Sequence, residues 1–552
     1  MYQYALQDQR IVDQRVAQFR DQTCRYLEGK ITEQQFLPLR LQNGLYVQRL
    51  APMLRIAIPY GMLSSRQLRK LAEISRNYDK GYTHVSTRQN MQINWPALED
   101  VPDILEELAS VQMHAIQTSG NCIRNTTTDP YAGVAADELE DPRPWCEIIR
   151  QWSTLHPEFA FLPRKFKIAV CGSESDRAAI HSHDIGLELI KHPQDGRIGF
   201  KVLAGGGLGR TPVIGSVICE WLEKRHLLSY LESIMRVYNQ HGRRDNKYKA
   251  RIKILVKAMG VDAFRQQVEA EWARLKDGPT TLTEEEVEGY TRYFTAPDYQ
   301  NLDAGLAERQ LDEQCAADSS FDNWVQRNTR PHRVPGYRIV NLSLKATGYA
   351  PGDINDHQMD SLANLASQYS FGEIRTTHEQ NLVLADVQQR DLLPLWQALK
   401  PLGLATPNIG YLSDLICCPG GDYCSLANAK SIPVAEAIQA RFAELDYLYD
   451  LGPLDLNISG CMNACGHHHI GHIGVLGVDK KGEEFYQVSI GGNQGKDASI
   501  GKILGPSFKQ DDMPEIIEKI LKTYLGLRLE EETFLDTCRR TGLEPFKQNV
   551  YA

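Results

Sequence analysis

Residues 64–94 read SSRQLRKLAEISRNYDKGYTHVSTRQNMQIN, and residues 355–385 read NDHQMDSLANLASQYSFGEIRTTHEQNLVLA. The two stretches align without a gap at a constant offset of 291 (358 minus 67). The identical positions are Gln67, Leu71, Ala72, Tyr78, Gly81, Gln89 and Asn90 in the first stretch, and Gln358, Leu362, Ala363, Tyr369, Gly372, Gln380 and Asn381 in the second. Gap-free identity of this kind indicates an internal duplication.

Each copy has the pattern of a strand, a helix and a strand. The apolar positions with helical spacing are Leu68, Leu71, Ala72 and Ile74 in the first copy, and Met359, Leu362, Ala363 and Leu365 in the second. An alternating, strand-like stretch follows in both copies. We therefore expect two homologous halves in an α+β fold.

A weaker sequence similarity follows each copy. Residues 184–187 resemble residues 472–475, and the strand ending in Gly206-Gly207 resembles the one ending in Gly491-Gly492. Each half therefore reads as a small α+β unit followed by a larger α/β unit. The predicted boundaries are an N-terminal extension at 1–45, a small unit at 46–112, a larger unit at 113–276, a linker at 277–334, a second small unit at 335–402 and a second larger unit at 403–552.

The extension and the linker are predicted from their composition. Residues 1–45 are polar with short helical patches, which favours a segment packed on the body or used for contacts. Residues 277–334 are rich in Glu, Asp, Thr and Gln and contain Pro279, Pro297 and Pro331. This composition is typical of a connection that runs over the surface.

The composition of the whole chain restricts the function classes. The chain has 552 residues, of which 42% are hydrophobic, and its formal net charge of -9 gives it no global attraction for nucleic acid or an anionic membrane. Residues 1–20 contain no apolar signal segment, and no run of about eighteen apolar residues occurs anywhere. We therefore expect a cytoplasmic globular protein whose twelve cysteines are reduced.

Four cysteines have the spacing of a metal cluster. Cys418 and Cys424 form C-x5-C, and Cys461 and Cys465 form C-x3-C. Soft thiolates in two close pairs suit an iron-sulfur cluster, and neighbouring glycines allow the backbone to approach it. Structural zinc is the alternative, although it usually uses C-x2-4-C spacings. Cys417 directly precedes Cys418, so that either of the two could be the ligand by chemistry alone.

A histidine run follows the last cysteine, at His467, His468, His469 and His472. A cysteine-rich loop beside such a run can bind zinc, nickel or copper. The interpretation that we favour is a polar loop whose imidazoles make hydrogen bonds.

Basic and polar residues of the first copy are replaced in the second. Arg88 aligns with Glu379, and Gln92 aligns with Val383. This divergence indicates that one copy kept an anion site and that the other became a support.

Further basic residues lie close by in the sequence, at Arg55, Arg124 and the run Arg164-Lys165-Phe166-Lys167. Lys165 and Lys167 share one face of a predicted strand, so that their ammonium groups can converge. Any one of these side chains alone is more often an exposed charge. Together they favour recognition of an oxyanion or a carboxylate.

A glycine run at 205–209 follows a predicted strand. It fails as a dinucleotide fingerprint because Arg210 stands where G-x-G-x-x-G needs its last glycine. We interpret Gly206 and Gly207 as positions where the backbone approaches a large cofactor. No flavin or nicotinamide fingerprint occurs elsewhere, which predicts that electrons arrive from another protein.

The chain resembles the siroheme- and 4Fe-4S-dependent sulfite and nitrite reductases, and among them the assimilatory sulfite reductase hemoproteins. The features that carry the resemblance are the cysteine spacing, Leu-Pro-Arg-Lys-Phe-Lys at 162–167, Thr-Arg-Gln-Asn-Met-Gln at 87–92 and the duplication. It implies two ferredoxin-like half-domains packed as one pseudo-twofold unit, each followed by an α/β domain. Siroheme and the cluster are implied at the junction.

The resemblance also implies roles for individual residues. Cys465 is implied as the ligand that bridges a cluster iron and the siroheme iron, and C-x5-C selects Cys418 over Cys417. The positions that match the distal, substrate-binding face are Arg55, Arg124, Lys165 and Lys167. The positions that match the macrocycle's carboxylates or the pocket wall are Arg88, Gln92 and Arg164. His84 and Asn457 depart from the pattern, because some relatives have arginine there.

The implied reaction is the six-electron reduction of sulfite to sulfide in sulfur assimilation. Fixed cations suit the dianion sulfite and the carboxylates of siroheme, and Lys165 and Lys167 can donate protons as S–O bonds break. Nitrite reductases of the family generally have asparagine where this chain has Lys167, so that we favour sulfite, with nitrite as the alternative substrate. The electron donor is expected to be a flavoprotein subunit or a ferredoxin.

A non-catalytic protein that stores metal in its Cys/His region is the alternative from another class. It leaves the basic residues and the duplication unexplained.

Overall fold

The computed structural model describes residues 1–48 and 50–552. Its helices are α1 (Leu6–Leu27), α2 (Glu33–Gln42), α3 (Ser65–Tyr78), α4 (Val101–Ala109), α5 (Arg143–Ser153), α6 (Leu227–His241), α7 (Ile252–Met259), α8 (Val261–Leu275), α9 (Glu284–Thr291), α10 (Ala304–Ala317), α11 (Ser319–Asn328), α12 (Asp356–Tyr369), α13 (Leu392–Leu399), α14 (Ile432–Arg441), α15 (Leu445–Leu451), α16 (Met513–Leu527), α17 (Phe534–Thr541) and α18 (Glu544–Tyr551). Within the described residues, no helix combines the length and the apolar character needed to cross a membrane.

The strands are β1 (Leu45–Val47), β2 (Pro52–Ile56), β3 (Met62–Ser64), β4 (Tyr82–Val85), β5 (Met91–Ile93), β6 (Thr127–Thr128), β7 (Ile168–Cys171), β8 (Ile185–Lys191), β9 (Ile198–Ala204), β10 (Ser216–Glu223), β11 (Thr329–Pro331), β12 (Tyr337–Leu342), β13 (Asp353–Asn355), β14 (Glu373–Thr376), β15 (Leu382–Gln388), β16 (Ile416–Cys417), β17 (Leu456–Ser459), β18 (Ile473–Lys480), β19 (Glu483–Ile490) and β20 (Lys502–Ile503). Across residues 1–48 and 50–552 they form four sheets of five strands each.

The two larger sheets have the same topology. Their orders are β10-β9-β8-β7-β6 and β16-β17-β18-β19-β20. In each sheet the first three strands along the chain are parallel, and the last two are antiparallel to their neighbours. The expected architecture, a duplicated α+β fold with a larger α/β unit in each half, is confirmed.

The two small sheets exchange a strand. Their orders are β1-β2-β5-β4-β13 and β11-β12-β15-β14-β3. β3 lies directly before α3 but pairs with β14, and β13 lies directly before α12 but pairs with β4. The buried faces of α3 and α12 belong to one hydrophobic core. The halves therefore form one pseudo-twofold unit and not two separate domains.

The duplicated residues have the same structural roles in both copies. Ser64 and Gln67 form a capping box at the start of α3, and Asn355 and Gln358 form one at the start of α12. The side chains of Leu71, Ala72, Leu362 and Ala363 are fully buried. The identities thus mark the helix starts and the shared core.

The duplicated glutamines fasten each larger unit to its small unit. The amide of Gln89 accepts from the Thr128 N–H and donates to the Thr128 carbonyl, both at 3.0 Å. Gln380 makes the same pair of bonds with Cys417, at 2.8 and 2.9 Å. Thr128 and Cys417 lie in β6 and β16, the first strands of the two larger sheets. The repeat therefore sets the position of the segment that precedes Cys418.

The N-terminal extension is more regular than the sequence indicated. α1 is one helix of 22 residues and not a set of short patches. Its buried residues are Val12, Val16, Phe19 and Thr23, which recur every three or four positions, as a helix with one buried face requires. This stripe is too narrow to stand out against an otherwise polar composition.

The segment 277–334 is largely structured, in contrast to the predicted surface linker. It contains α9, α10, α11 and β11, and β11 pairs with β12 at the edge of the second small sheet. Phe321 and Trp324 of α11 are fully buried in the shared core. Polar residues on the exposed faces of α10 and α11 dominate the composition of the segment. The composition therefore gave no sign of the buried apolar residues. The domain boundaries drawn from the sequence stay predictions.

Candidate active site and cofactor site

One row of side chains crosses the first small sheet. Arg55, Gln92, His84 and Asp353 lie directly opposite one another on neighbouring strands, and directly opposed residues share one face of a sheet. Arg55 Nη2 donates to Gln92 Oε1 at 3.3 Å. His84 Nδ1 lies 2.7 Å from Asp353 Oδ1, and its Nε2 lies 2.9 Å from the amide of Gln380. The departure at His84 is thus explained by protein partners on both ring nitrogens.

The matching row of the second small sheet is covered. It consists of Asn341, Val383, Arg375 and Met62. The Tyr131 hydroxyl donates to Asn341 at 2.8 Å, and Arg375 donates to the carbonyls of Pro130 and Ala132 at 3.0 and 2.6 Å. The segment 130–132 therefore fills the space over this row, as expected for a copy that became a support.

Lys165 and Lys167 flank a buried aromatic residue. Phe166 between them is fully buried, whereas both lysines are half-buried. The regular strand β7 begins only at Ile168, so that the lysines lie in the extended segment before it and not within a strand. They nevertheless share one side, because the side chains of an extended chain alternate. The Arg124 N–H donates to the Phe166 carbonyl at 2.7 Å and brings the Arg124 segment alongside.

The positive charges at this site lower the pKa values of the neighbouring lysines. Burial, joined by the charges of Arg124 and Arg251, lowers the pKa of Lys165 to about 8, although Cys465 opposes the shift. Burial and the charge of Lys165 likewise hold the pKa of Lys167 well below its ordinary value. Both lysines are electrostatic neighbours of Cys465. The structure therefore brings the basic run and the last cysteine to one place.

Tyr46 belongs to the same cluster, and sequence reasoning missed it. The Arg55 guanidinium lies over the Tyr46 ring, 5.4 Å from its centroid. Burial raises the pKa of Tyr46, but Arg124, Arg55 and Lys165 together hold it below its ordinary value. Tyr46 lies in β1, which pairs with the Arg55 strand. That pairing is the signal that could have identified it, and it requires a strand register that the sequence does not fix.

The arginines differ in how far the protein already occupies them. Arg88 is buried and donates to Thr127 Oγ1 at 2.9 Å and to the Asn125 carbonyl at 2.6 Å, and burial lowers its pKa to about 9. The Arg124 guanidinium donates to the carbonyls of Thr118 and Gly120, each at 2.8 Å. Arg164 is half-buried, and burial with the neighbouring charges of Arg124 and Arg251 lowers its pKa. Arg88 is thus mainly a support, whereas Arg164 is less enclosed.

The four predicted cysteine ligands lie together as free thiols. All cysteines of the described residues are unpaired. Burial raises the pKa of Cys418 to about 12 and that of Cys461 to about 11, and the charge of Cys465 adds to both shifts and to that of Cys424. The Cys418 sulfur accepts from the Gly460 N–H at 3.2 Å. Cys465 is the exposed member of the four.

The geometry bears on the choice between zinc and a cluster. No group of three or more His, Cys, Asp or Glu side chains in the described part of the chain is arranged to hold a single metal ion. Iron-sulfur clusters hold their thiolates around a core of several atoms, so that the sulfurs stand farther apart. This finding concerns a single ion only, and a polynuclear core would use the wider spacing.

Glycines near the cysteines are required by packing within the protein. A Cβ on Gly460 would lie 2.5 Å from the Ala429 carbonyl oxygen. A Cβ on Gly206 would lie 2.4 Å from the His183 carbonyl oxygen, and one on Gly207 would lie 2.6 Å from Arg251 Nη2. Protein atoms alone thus explain why Gly206 and Gly207 carry no side chain.

Within the histidine run, His467 and His468 are buried, in contrast to the expected polar loop, whereas His469 and His472 are half-buried. His467 and His468 are 4% and 2% exposed, and burial holds their pKa values well below the ordinary range. His469 Nε2 donates to the Gly209 carbonyl at 2.9 Å. Asn457 Nδ2 donates to the His467 carbonyl at 3.2 Å, which explains the departure at Asn457. The run therefore holds the backbone that follows Cys465.

The parallel strands of the two larger units correspond at nearly constant offsets. A Cβ on Gly186 would meet the Ile180 carbonyl at 2.5 Å, and one on Gly474 would meet the His468 carbonyl at 2.0 Å. Both pairs are offset by 288 (474 minus 186 and 468 minus 180). The glutamine contacts give 289 for the first strands (417 minus 128).

These offsets identify what replaces the cysteines in the first half. The counterparts of Cys418, Cys461 and Cys465 are Asp129, Ser173 and Arg177 (418 minus 289, 461 minus 288 and 465 minus 288). Ser173 Oγ donates to Asp129 Oδ2 at 2.9 Å, and Arg177 Nη2 lies 2.8 Å from the same oxygen. A buried network of arginine, serine and carboxylate thus stands where the second half has thiols.

Family models match most of the chain. The nitrite and sulphite reductase 4Fe-4S domain matches residues 119–276 and 412–552. The nitrite/sulfite reductase ferredoxin-like half domain matches residues 48–111 and 331–402. Each model occurs once in each half, in agreement with the duplication.

Relatives with assigned activities include both kinds of reductase. A sulfite reductase [ferredoxin] 1 of Mycolicibacterium paratuberculosis is 27% identical over 90% of this chain and 83% of its own length. A ferredoxin–nitrite reductase of Synechococcus elongatus is 29% identical over 88% of each chain. Among solved structures, the Mycobacterium tuberculosis NirA protein matches with a TM-score of 0.77 and 25% identity, over 94% of this chain and 92% of that one.

These similarities settle the class of protein. The cofactors are siroheme and a 4Fe-4S cluster, in agreement with the sequence analysis. The alternative of a non-catalytic metal-binding protein is not supported, because the relatives are oxidoreductases. The chain belongs to the nitrite and sulfite reductase 4Fe-4S family.

Proposed function

We propose that this protein reduces sulfite to sulfide. The observation that carries the proposal is the convergence of Lys165 and Lys167 with Arg124 and Arg55 beside Cys465. Several fixed cations in one enclosed place favour a dianion over a monoanion, because the attraction grows with the charge of the ligand. Sulfite is such a dianion.

We assign the cofactors to the following residues. Cys418, Cys424, Cys461 and Cys465 would hold the cluster, and Cys465 would also help to hold siroheme. The greater exposure of Cys465 supports this second role, since its sulfur is accessible beyond the other three thiols. When bound, these cofactors would supply the electrons that reduce the oxyanion.

Four basic residues act on the substrate. Arg55 and Arg124 are already oriented by hydrogen bonds to the protein, so that they bind an oxyanion without further ordering. Lys165 and Lys167 give up their protons readily, because burial lowers the pKa of both. We infer that they donate protons to the departing oxygen atoms of sulfite.

The remaining predicted residues line the cofactor. We propose that Gln92 and Arg164 contact the carboxylates of siroheme, because both lie beside the substrate cations and Arg164 is only half-buried. Arg88 supports these groups from behind through its bonds to Thr127 and Asn125. Gly206 and Gly207 shape the wall by allowing the loop to pack against His183 and Arg251.

A ferredoxin is the electron donor that we propose. The relatives' names assign a ferredoxin to sulfite and nitrite reductases alike. No observation favours a flavoprotein subunit.

Nitrite reduction is the second candidate function. Relatives that reduce nitrite are as similar as those that reduce sulfite, at 28–29% and 27–28% identity. We expect nitrite to be reduced at a lower rate, because a monoanion gains less from Lys167.

The test replaces Lys167 by asparagine in the enzyme loaded with siroheme. Reduced ferredoxin serves as donor, and kcat/KM is measured for sulfite and for nitrite. We expect Lys167→Asn to lower kcat/KM for sulfite about tenfold more than for nitrite, because loss of a buried charge weakens binding of the dianion more strongly. The exposed Lys502→Asn in β20 is the matched control and leaves both values unchanged. An equal loss for both substrates would contradict the assignment to sulfite.

A further inference from the structure

We propose that the ion pair of Asp184 and Arg251 is a positioning element that fixes the Lys167 segment relative to the loop of Cys461 and Cys465. The proposal rests on the function proposed above, in which Lys167 acts on the substrate and Cys465 would hold the cofactors.

Asp184 connects directly to the lysine segment. Its side chain is fully buried, and Oδ2 accepts from the Lys167 N–H at 2.9 Å. The other oxygen, Oδ1, accepts from Arg251 Nε at 3.1 Å and from Nη2 at 2.7 Å. Both carboxylate oxygens are therefore occupied, so that the side chain has one stable position.

Arg251 connects the same carboxylate to the glycine loop. Its Nη1 donates to the Leu208 carbonyl at 3.3 Å. The ammonium of Lys253 donates to the carbonyls of Gly207 and Leu208 at 3.1 and 2.6 Å. Arg251 and Lys253 thus hold the carbonyls of one short loop, and the packing of Gly207 against Arg251 leaves no room for a side chain.

The glycine loop in turn contacts the cysteine loop. The Gly209 carbonyl accepts from His469 Nε2 at 2.9 Å, and His469 lies four residues after Cys465. A Cβ on Gly209 would lie 3.7 Å from the Met462 carbonyl oxygen, next to Cys461. An unbroken series of contacts therefore runs from Lys167 through Asp184, Arg251 and the glycine loop to the cysteine loop.

The second half separates a functional role from a merely structural one. His472 stands at the position of Asp184 (472 minus 288), and its Nδ1 accepts from the Asp455 N–H at 3.1 Å. Asp455 is the counterpart of Lys167 (455 minus 288). The backbone contact is thus kept without an ion pair in the half that lacks the lysines. The carboxylate and its arginine occur where a catalytic side chain has to be positioned.

Small displacements are costly at such a site. An error of about 1 Å in the position of a reacting group can lower the rate by ~100-fold. Removal of the ion pair frees the Lys167 segment and the glycine loop to shift independently.

The test compares two buried arginine–carboxylate pairs of the same domain. Asp184→Asn with Arg251→Met removes the positioning pair. Asp129→Asn with Arg177→Met removes the matched pair that stands in place of the cysteines and touches neither loop. The holoenzymes are compared in Tm, siroheme absorption per chain, KM for sulfite and kcat.

We expect both double variants to lose thermal stability. Only the Asp184/Arg251 variant should bind less siroheme per chain and raise KM for sulfite, by ~10-fold or more. Equal losses of Tm with unchanged siroheme absorption and KM in both variants would overturn the proposal.

Arg251→Lys provides a second route if the double variant fails to fold. It keeps the charge but loses the paired bonds to Asp184, so that KM for sulfite should rise while Tm stays near that of the wild type. An unchanged KM would again overturn the proposal. The wild-type enzyme tests the proposed function separately. If it binds no siroheme or does not reduce sulfite, the proposed function is wrong, whereas the positioning role is judged from the variants.

Discussion

Cys417 and Cys418 are neighbours with the same side chain and different surroundings. Cys417 lies in β16, and its thiol donates to the Cys418 carbonyl at 3.3 Å. The Cys418 sulfur is directed to Gly460 and is an electrostatic neighbour of Cys465. At the residue scale the position of the sulfur supports Cys418 over Cys417 as the proposed cluster ligand.

Serine substitutions test this assignment. We expect Cys418→Ser to lose the cluster, because a hydroxyl is a poor ligand for iron, so that iron content and cluster absorption fall together. Cys417→Ser is the matched control and should keep both, with a loss of stability of about 1 kcal/mol from a polar group in a buried site. Loss of iron in the Cys417 variant alone would reverse the assignment.

The pKa of Lys165 predicts the pH dependence of substrate binding. Burial lowers this pKa to about 8, so that the ammonium is charged below pH 8 and neutral above it. Affinity for an anion is therefore present at low pH and is lost as the pH rises. We expect KM for sulfite to rise roughly fivefold between pH 8 and pH 9, measured in the holoenzyme.

The control for this prediction is Lys165→Arg. Arginine keeps its charge throughout this range, so that the rise in KM between pH 8 and pH 9 should disappear. A rise of the same size in the variant would show that the substrate or another group titrates.

The sequence alone predicted those site residues whose type and spacing form a recognisable motif. The four cysteines and the run of Lys165 and Lys167 are of this kind. Tyr46 and Asp184 were missed, because each is defined by its contacts and not by a motif. Tyr46 reaches the site through pairing of β1 with β2, and Asp184 meets Arg251 67 residues later.

At the element scale, the exchange of β3 and β13 between the small sheets explains why the halves act as one unit. Each helix of the repeat begins in one sheet and is followed by strands of the other. The position of one half therefore depends on the other. This arrangement brings Lys165 and Lys167 of the first half close to Cys465 of the second.

The helix α11 makes the segment 277–334 part of this unit. Trp324 is fully buried, and we expect Trp324→Ala to lower the free energy of unfolding by about 3–5 kcal/mol, as truncation of a core aromatic does. Leu306→Ala in α10 is the control, because Leu306 is 45% exposed and its loss should cost below about 0.5 kcal/mol. Urea unfolding measures the free energy of unfolding of both variants. Equal small losses would support the surface linker predicted from the sequence.

The helices were predictable where their apolar pattern occurs in both copies. They were not predictable where a few apolar residues lie among many polar ones. The helices α3 and α12 have apolar residues at helical spacing and the same capping residues, so that one copy supports the other. α1 and α11 bury a few side chains each among many polar ones. Their tertiary contacts, and not their composition, make them part of the core.

At the scale of the whole molecule, the two halves have diverged in chemistry while keeping one topology. The first half carries Arg124, Lys165 and Lys167, and it has Arg177 and Asp129 where the second half has cysteines. The second half carries the cysteines, and its matching sheet row is covered by residues 130–132 of the first half. We therefore propose one coupled cofactor site in the described part of the chain, at the junction of the halves.

The most direct test of this account is the absorption spectrum and the metal content of the purified wild-type protein from cells that make siroheme. We predict siroheme bands and about five irons per chain, one from siroheme and the others from a four-iron cluster. Zinc bound to the cysteines, without a chromophore, would contradict the account.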